Sequence, residues 1–556
     1  MTANPLAPSW LTLPADANDL PPAVWPGSAT RTSTGELSLG GVAASELVAR
    51  FGTPLYVVDE ADARGRARHF RASFEGAFAR IGTDVTVYYA AKAFLSSAVA
   101  EWMTGEGLSI DVCSAGEFAV AIGAGVSPEH IGYHGNNKSL AEIDEAVEYG
   151  VGAIVIDSPI EVERVAAAAL RHGRVQAVRL RVNSGVHAHT HDFLATAHDD
   201  QKFGTALSDA PELVAAIRSH SSLRFLGLHC HIGSQIFGSD GFSESAARLL
   251  DVHAALLEGG EIPELNLGGG FGIAYTRADD PTPVGQLAEQ LADIVGSECA
   301  RLGIPVPHVA FEPGRVLIGP STATLYTVGT VKPVSVGVEA SAKASADASA
   351  DASADANAEG KAEGGADGSA ENGADTAVRT YVSVDGGMSD NARPALYGAD
   401  YSVRIAGRVS TAEPLLVRIA GKHCESGDIV VYADYLPADV TPGDTVAVAA
   451  TGAYCWSLSS NYNYLGRPPV VAVQGGSARL IMRGESVDDL LARDPGLARS
   501  TRTATTAASA AAGSSATTGT SATTAASVAT GTSATTATTA PNHAPARAAS
   551  EPRKAS

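Results

Sequence analysis

Eight short apolar runs between Val85 and Arg315, alternating with helix-like stretches, constrain the fold more than any other feature of the chain. They close on Lys92, Asp111, His134, Asp157, Asn183, His231, Gly268-Gly-Gly270 and Glu312-Pro-Gly-Arg315. Strands covered by helices on both faces read as continuous apolar stretches rather than as alternating ones. Eight of them, with polar groups gathered at their C-terminal ends, describe an α/β fold, a TIM-like (β/α)8 barrel with its working face at one mouth. Packing alone gives no reason to put Lys, His, Glu and Arg at the same end of successive strands, so the pattern also predicts an enzyme.

After Gly319 the pattern changes. Runs of β type at Thr324–Lys332, Thr380–Val384, Leu415–Ile419, Ile429–Tyr432 and Val446–Ala449 are separated by turn formers, with no long helical pattern between them. This predicts a second, all-β C-terminal domain of sandwich or barrel type. The expected organisation is a Pro- and Ala-rich lead-in over residues 1–37, part of it able to join the β domain. The barrel follows over 38–319, the β domain over 320–491 and a tail over 492–556. Two segments have nothing to build a core with. Residues 337–377 are an acidic Ala/Ser/Asp/Gly insertion with a four-residue Ala-Ser-Ala-Asp repeat, whose aspartates would repel on one helix face. The tail is an Ala/Thr/Ser/Gly tract without a charged side chain between Arg502 and Arg547.

The 556 residues carry a net charge of -22, which makes nucleic acid and anionic membrane unsuitable partners. Part of the charge is local: nine acidic and two basic residues between Glu339 and Asp375 contribute -7 of it. No apolar run is long enough to span a bilayer, and the N-terminus lacks a signal pattern. Five cysteines at 113, 230, 299, 424 and 455 have no framework spacing, which fits reduced thiols and a cytoplasmic location.

Several strand ends carry chemistry. Lys92 follows Val85-Thr-Val-Tyr-Tyr-Ala-Ala, which aims an amine into the barrel mouth. A lysine in partly apolar surroundings can form a Schiff base, although a strand-end lysine can also simply pair with an acid. Gly268, Gly269 and Gly270 expose backbone N–H groups suited to a phosphate, although glycine-rich turns are common without one. Glu312 can face a pyridine nitrogen and keep it protonated, which makes the ring an electron sink. His231 can stack on an aromatic cofactor, with Ser234 within reach of its phosphate. His187, His189 and His191 alternate beside a strand end but lack a carboxylate set, so no metal site is assigned. Amine, phosphate nest, ring carboxylate and imidazole together point to pyridoxal 5'-phosphate.

Tyr89-Ala-Ala-Lys92, His229-Cys-His-Ile-Gly-Ser-Gln235, Gly268-Gly-Gly-Phe-Gly272, Glu312-Pro-Gly-Arg315, Ser389-Asp-Asn-Ala-Arg-Pro-Ala-Leu-Tyr397, Cys424-Glu-Ser-Gly-Asp428 and Gly452-Ala-Tyr454 occur in this order. Taken together they resemble the diaminopimelate decarboxylase family, whose members join an alanine-racemase-like barrel to a C-terminal β domain. The likeness covers about Ser38 to Leu491 without the acidic insertion. It implies a cofactor linkage on Lys92, His231 against the ring and Glu312 at its nitrogen. It also implies phosphate contacts from Ser234, Gly268–Gly270, the Pro313-Gly314-Arg315 backbone and Tyr454. Lys202-Phe-Gly204 resembles a further family segment beside the site.

A pyridoxal-phosphate fold can racemise, transaminate or decarboxylate, so the substrate residues must decide. A remote amino-carboxylate needs a cation and an anion; Arg393, Arg315 and Glu425 supply them, with Tyr397 and Tyr454 completing the implied substrate set. An ornithine- or arginine-type decarboxylase would need an acid for the distal cation and no additional arginine, and a racemase would use two bases in a small pocket. The expected activity is decarboxylation of meso-diaminopimelate to L-lysine and CO2, the last step of lysine biosynthesis, with those two classes as the alternatives. Cys424, in a polar turn, is the candidate proton donor. The resemblance implies that its loop enters the partner subunit's site, which would make a homodimer with shared active sites the active unit.

Overall fold

The computed structural model describes residues 4–186, 202–337 and 376–497. Eight parallel strands close into a barrel: Val85–Ala90, Ser109–Val112, Ile131–Tyr133, Ala153–Ile156, Gln176–Asn183, Leu223–His229, Glu264–Asn266 and His308–Phe311. Each pairs with the next, and His308–Phe311 pairs back onto Val85–Ala90. These are the eight runs expected from sequence, and their C-terminal residues line one mouth.

Three of the helices between them begin at a serine cap that follows a strand. The side chains of Ser96, Ser114 and Ser139 accept the N–H groups of Val99, Glu117 and Glu142, and Ser139 forms a full capping box with Glu142. Helix Glu60–Ala79 carries Phe70, Phe74 and Phe78 at four-residue spacing, one apolar stripe. Phe70 and Phe74 stack at 4.3 Å, and Phe74 meets Phe311 edge-on at 4.5 Å. The stripe is thereby seated on the barrel below the mouth.

The second sheet is organised by one long strand, Thr322–Gly337. Its first half lies between Leu55–Asp59 and Thr445–Ala449, and its second half pairs with Thr376–Val384. Pro414–Ala420 and Ile429–Pro437 extend the sheet on one side, and Val470–Gln474 and Ser477–Met482 on the other. Gly337 faces Thr376 in register, so the two ends of the 338–375 segment leave the sheet side by side. Residues 338–375 of the expected insertion, 498–556 of the expected tail, and the histidines at 187, 189 and 191 lie outside the described residues. Of the second unit of the chain, only Gly496 and Leu497 are described.

One expectation needs correction. Leu55–Asp59, read as part of the 38–319 barrel stretch, is a strand of the second sheet, parallel to Val470–Gln474. An entirely buried strand has the same continuous apolar sequence in either setting, so its pattern does not name its partner. The lead-in also packs on the second sheet. Val24 and Trp25 are buried against Leu325, Ala447 and Val471 of the second sheet, beside a small antiparallel sheet of Thr30–Arg31, Leu37–Leu39 and Val42–Ala43. Among the described residues no helix is long and apolar enough to cross a membrane.

Candidate active site

The barrel mouth gathers a buried polar cluster around Glu312, at the end of the strand His308–Phe311. Its Oε1 accepts the Asn266 amide at 2.8 Å, and its Oε2 lies 3.1 Å from His229 Nε2. His134 Nε2 is 3.2 Å from Oε1 and 3.4 Å from Asp111. Burial opposes ionisation of Glu312, but interaction with His134 and His229 outweighs it and holds this carboxyl well below its ordinary range. Burial, reinforced by the charge of Glu312, pushes Asp111 well above its ordinary value. Burial also depresses both imidazoles, His229 to about 4. The cluster therefore presents Glu312 as a carboxylate surrounded by imidazole and amide groups. Ligand atoms of His134, His229 and Glu312 lie within 4.8 Å of one another, close enough to surround a cation. Each imidazole nitrogen is nevertheless at hydrogen-bond distance from a different oxygen of Glu312, which N–H donation explains without a metal.

Lys92 sits on the single 3-10 turn Ala91–Ala93 directly after its strand, exposed where its neighbours Ala91 and Ala93 are buried. Its charge is felt at Asp111 and at His231. Burial, and then the charge of Lys92, push the His231 imidazole well below its ordinary pKa, so the ring is neutral. His231 Nδ1 accepts the Gly269 N–H at 3.2 Å, which fixes the ring beside the glycine turn. That turn tolerates no side chain. A Cβ on Gly268 would lie 2.5 Å from the Cys230 carbonyl oxygen, and Cβ atoms on Gly269 and Gly270 would collide with the carbonyls of Glu312 and Gly233. Gly268 and Gly270 also have φ of +69° and +111°.

The Pro313-Gly314-Arg315 segment is buried at the same mouth. Arg315 donates to Ser234 Oγ at 2.8 Å and to the Tyr275 hydroxyl, and its guanidinium lies 4.7 Å from the Tyr454 ring centre. Tyr454 has a φ of +68°, and its N–H donates to the Ala93 carbonyl at 2.8 Å, beside Lys92. Arg393 begins the short helix Arg393–Tyr397; it is buried, donates to the Tyr401 hydroxyl and lies over Tyr275. The structure thus brings together Lys92, His231, Ser234, Gly268–Gly270, Glu312–Arg315, Tyr454 and Arg393.

Tyr397 is half-buried at the end of that helix, and Cys424 and Glu425 are exposed on the turn between Pro414–Ala420 and Ile429–Pro437. The Cys424 N–H faces Asn463 Oδ1 at 3.4 Å, and Glu425 approaches only its own turn. Among the described residues, no contact within one chain joins these two to the barrel cluster.

Sequence reasoning missed Asn266, Tyr275 and Tyr401 and gave His229 no role of its own. His229 was visible as the residue two before His231 on an inward-facing strand, which places both on one face. Tyr275 and Tyr401 had no signal, because their importance arises only from the arginines that fold against them. Arg181 lies over the Phe203 ring at 4.3 Å and the Gly204 N–H donates to Asp157 at 3.0 Å, which ties Lys202-Phe203-Gly204 to the mouth.

Residues 64–319 match the family model "Pyridoxal-dependent decarboxylase, pyridoxal binding domain", and residues 359–452 match "Pyridoxal-dependent decarboxylase, C-terminal sheet domain". The chain is 47% identical over 481 residues to the diaminopimelate decarboxylase of Mycobacterium tuberculosis, covering 85% of this chain and 98% of that protein. It is 38% identical to the Bacillus subtilis enzyme of the same name, over 84% and 97% of the two chains. A crystal structure of the M. jannaschii diaminopimelate decarboxylase in complex with L-lysine superposes with a TM-score of 0.69 at 28% identity, covering 84% of this chain and 97% of that one.

Proposed function

This chain belongs to the diaminopimelate decarboxylase family, and from that premise we propose how its own residues carry the reaction. It is a pyridoxal-phosphate-dependent carboxy-lyase that converts meso-diaminopimelate to L-lysine and CO2, a lysine-forming step. The observation that carries the reading is the convergence of Arg315 and Arg393 on Tyr275 beside the Glu312 cluster. A pocket with two fixed guanidiniums suits a substrate with a second carboxylate and would repel the distal cation of ornithine or arginine.

The residues present fit the cofactor. Glu312 is an ionised carboxylate in a wall of donors, His231 is a neutral planar ring at the glycine turn, and Lys92 is an exposed amine among buried neighbours. Pyridoxal phosphate supplies an electron sink for the bonding pair released as CO2 departs. Lys92 would hold the cofactor through its amine, Glu312 would stand at the ring nitrogen and keep it protonated, and His231 would support one ring face. Ser234, the Gly268–Gly270 backbone, Pro313, Gly314, Arg315 and Tyr454 would hold its phosphate. Arg393, with Arg315 and Tyr397, orients the remote carboxylate, and Glu425 receives the remote ammonium. The Cys424 thiol delivers the proton that Cα needs after CO2 leaves.

The exposure of Cys424 and Glu425, away from their own chain's cluster, supports a homodimer in which each turn completes the partner's site. Five free cysteines fit a reducing cytoplasm. Incubating the purified protein with meso-diaminopimelate and cofactor tests the reading: CO2 and lysine should appear in equal amounts. Release of CO2 from ornithine but not from diaminopimelate would overturn it.

A further inference from the structure

His423 is buried beside the exposed Cys424, and nothing in the reaction above uses it. Two loops meet at this residue. One is the turn Gly421–Asp428, which carries Cys424 and Glu425; the other is the segment Gly386–Asn391, which runs into Arg393. They approach without a side chain between them: a Cβ on Gly387 would lie 2.5 Å from the Asp428 carboxylate and 2.8 Å from the His423 ring. Asp428 stitches the two loops together, accepting the Met388 N–H at 2.6 Å and the His423 N–H at 2.7 Å.

The hydrogen bonds define the state of the His423 ring. Its Nε2 lies 3.3 Å from the Ser389 backbone nitrogen and 2.9 Å from Ser389 Oγ. A backbone N–H can only donate, so Nε2 must present its lone pair. The ring proton is then on Nδ1, which lies 3.1 Å from Asn463 Oδ1. The same Asn463 oxygen accepts the Cys424 N–H at 3.4 Å. Asn463 has a φ of +53°, a left-handed conformation that asparagine tolerates better than most residues. The preceding Tyr462 ring stacks on His423 at 5.3 Å.

We propose that His423 is the positioning residue of the proton donor: as the Nδ1–H tautomer it clamps the Cys424 turn between Ser389 and Asn463. The donor turn is thereby registered to the buried segment that ends in the carboxylate-reading Arg393. The clamp is unequal. Asp390 is held independently by the Tyr326 hydroxyl at 2.6 Å and the Gly387 N–H at 3.0 Å, and the Ser389 carbonyl accepts the Ser460 N–H at 2.8 Å. Arg393 has its own bond to Tyr401. Residues 424–427 are exposed and have no comparable anchor. Loss of the imidazole should therefore disorder the donor and leave the arginine in place.

The inference rests on the assignment of Cys424 as donor, so its test needs a readout that does not depend on turnover. The holoenzyme and its His423→Phe, His423→Gln and His423→Asn variants are alkylated with iodoacetamide, and the rate at Cys424 is read by peptide mass spectrometry, with exposed Cys113 as internal control. The glutamine amide oxygen can take the place of Nε2 as acceptor, whereas asparagine reaches only the Nδ1 position. Phe and Asn should change the Cys424 rate by about threefold or more with Cys113 unchanged, and lower kcat about tenfold with KM within about twofold. Gln should recover most of both. Wild-type alkylation and kcat in the Phe and Asn variants would overturn the proposal. So would equal losses in all three variants accompanied by loss of cofactor absorbance, the mark of a general structural defect. If the Phe variant does not fold, the comparison of Gln with Asn decides alone. Wild-type turnover in Cys424→Ala would remove the donor assignment itself, and the alkylation rates would still report whether His423 holds the turn.

Discussion

The guanidinium of Arg393 lies 4.6 Å from the centre of the Tyr275 ring, and the hydroxyl of the same ring accepts a hydrogen bond from Arg315. One tyrosine thus sets the spacing of two cations that would otherwise repel. Tyr275→Phe keeps the ring under Arg393 and removes the acceptor for Arg315, which retains Ser234. The expected effect is about 1 kcal/mol, seen as roughly a fivefold rise in KM for diaminopimelate with kcat nearly unchanged. A steady-state comparison in which kcat falls and KM does not would place Tyr275 in the chemistry instead.

Arg393 itself should matter more. It is buried, and substrate binding leaves its partner carboxylate equally dry. Arg393→Ala removes a charge-assisted pair worth roughly 2–4 kcal/mol, or about two orders of magnitude in kcat/KM. Cofactor absorbance should remain, because Arg393 contacts Tyr401 and Tyr275 and not the Glu312 cluster.

The eight barrel strands were legible because continuous apolar runs ending in Lys92, His134, His231 or Glu312 belong to one kind of layered fold. The site chemistry was legible for the same reason, since each of those side chains closes a run. Leu55–Asp59 was not assigned to its sheet, since pairing is a property of two segments and its sequence specifies only burial. Val403–Ile405 was missed because three residues carry too little pattern, and Val470–Gln474 because nothing in the run distinguishes it from a loop-flanking apolar stretch. Asn266 and Tyr275 became visible only with the distances to Glu312 and Arg315 in hand.

Lys92 directly follows its barrel strand, and it is exposed while Ala91 and Ala93 are buried. The purified protein should carry the yellow absorbance of covalently held pyridoxal phosphate, and Lys92→Ala should lose it while still binding free cofactor more weakly. A Lys92→Ala protein with the wild-type spectrum after dialysis would exclude this lysine as the attachment point.

Acid should destabilise the fold in a window set by buried histidines. His253 lies in helix Asp240–Leu256, and burial pushes its imidazole down to about 4 from an ordinary 6.5. The unfolded chain therefore binds this proton more tightly than the folded one. Stability is fully present above about pH 6.5 and is lost as pH falls toward 4, by on the order of 3 kcal/mol for this residue. His253→Leu removes the titration, so urea unfolding followed from pH 7 to pH 4.5 should show a shallower decline than wild type. Parallel declines in the two proteins would mean that His253 takes up no proton on unfolding.

The exposed turn that carries Cys424 leads to the most discriminating experiment. On the proposed roles, Lys92→Ala would lack the cofactor attachment and Cys424→Ala the proton donor, so each variant alone should be nearly inactive. If each turn serves the partner's site, a mixed dimer has one site with both defects and one with Lys92 and Cys424 intact. Random exchange of equal amounts gives half mixed dimers, so about a quarter of wild-type activity per total site should return. If each turn serves its own chain's site, every site in every dimer has one defect and nothing returns. The exchange must be verified by tagging the two variants differently and isolating doubly tagged dimers, whose activity should approach half that of wild type. Doubly tagged dimers without activity would falsify the shared site and place the Cys424 thiol in its own barrel mouth, which would require the Gly421–Asp428 turn to leave its contacts with Ser389 and Asn463.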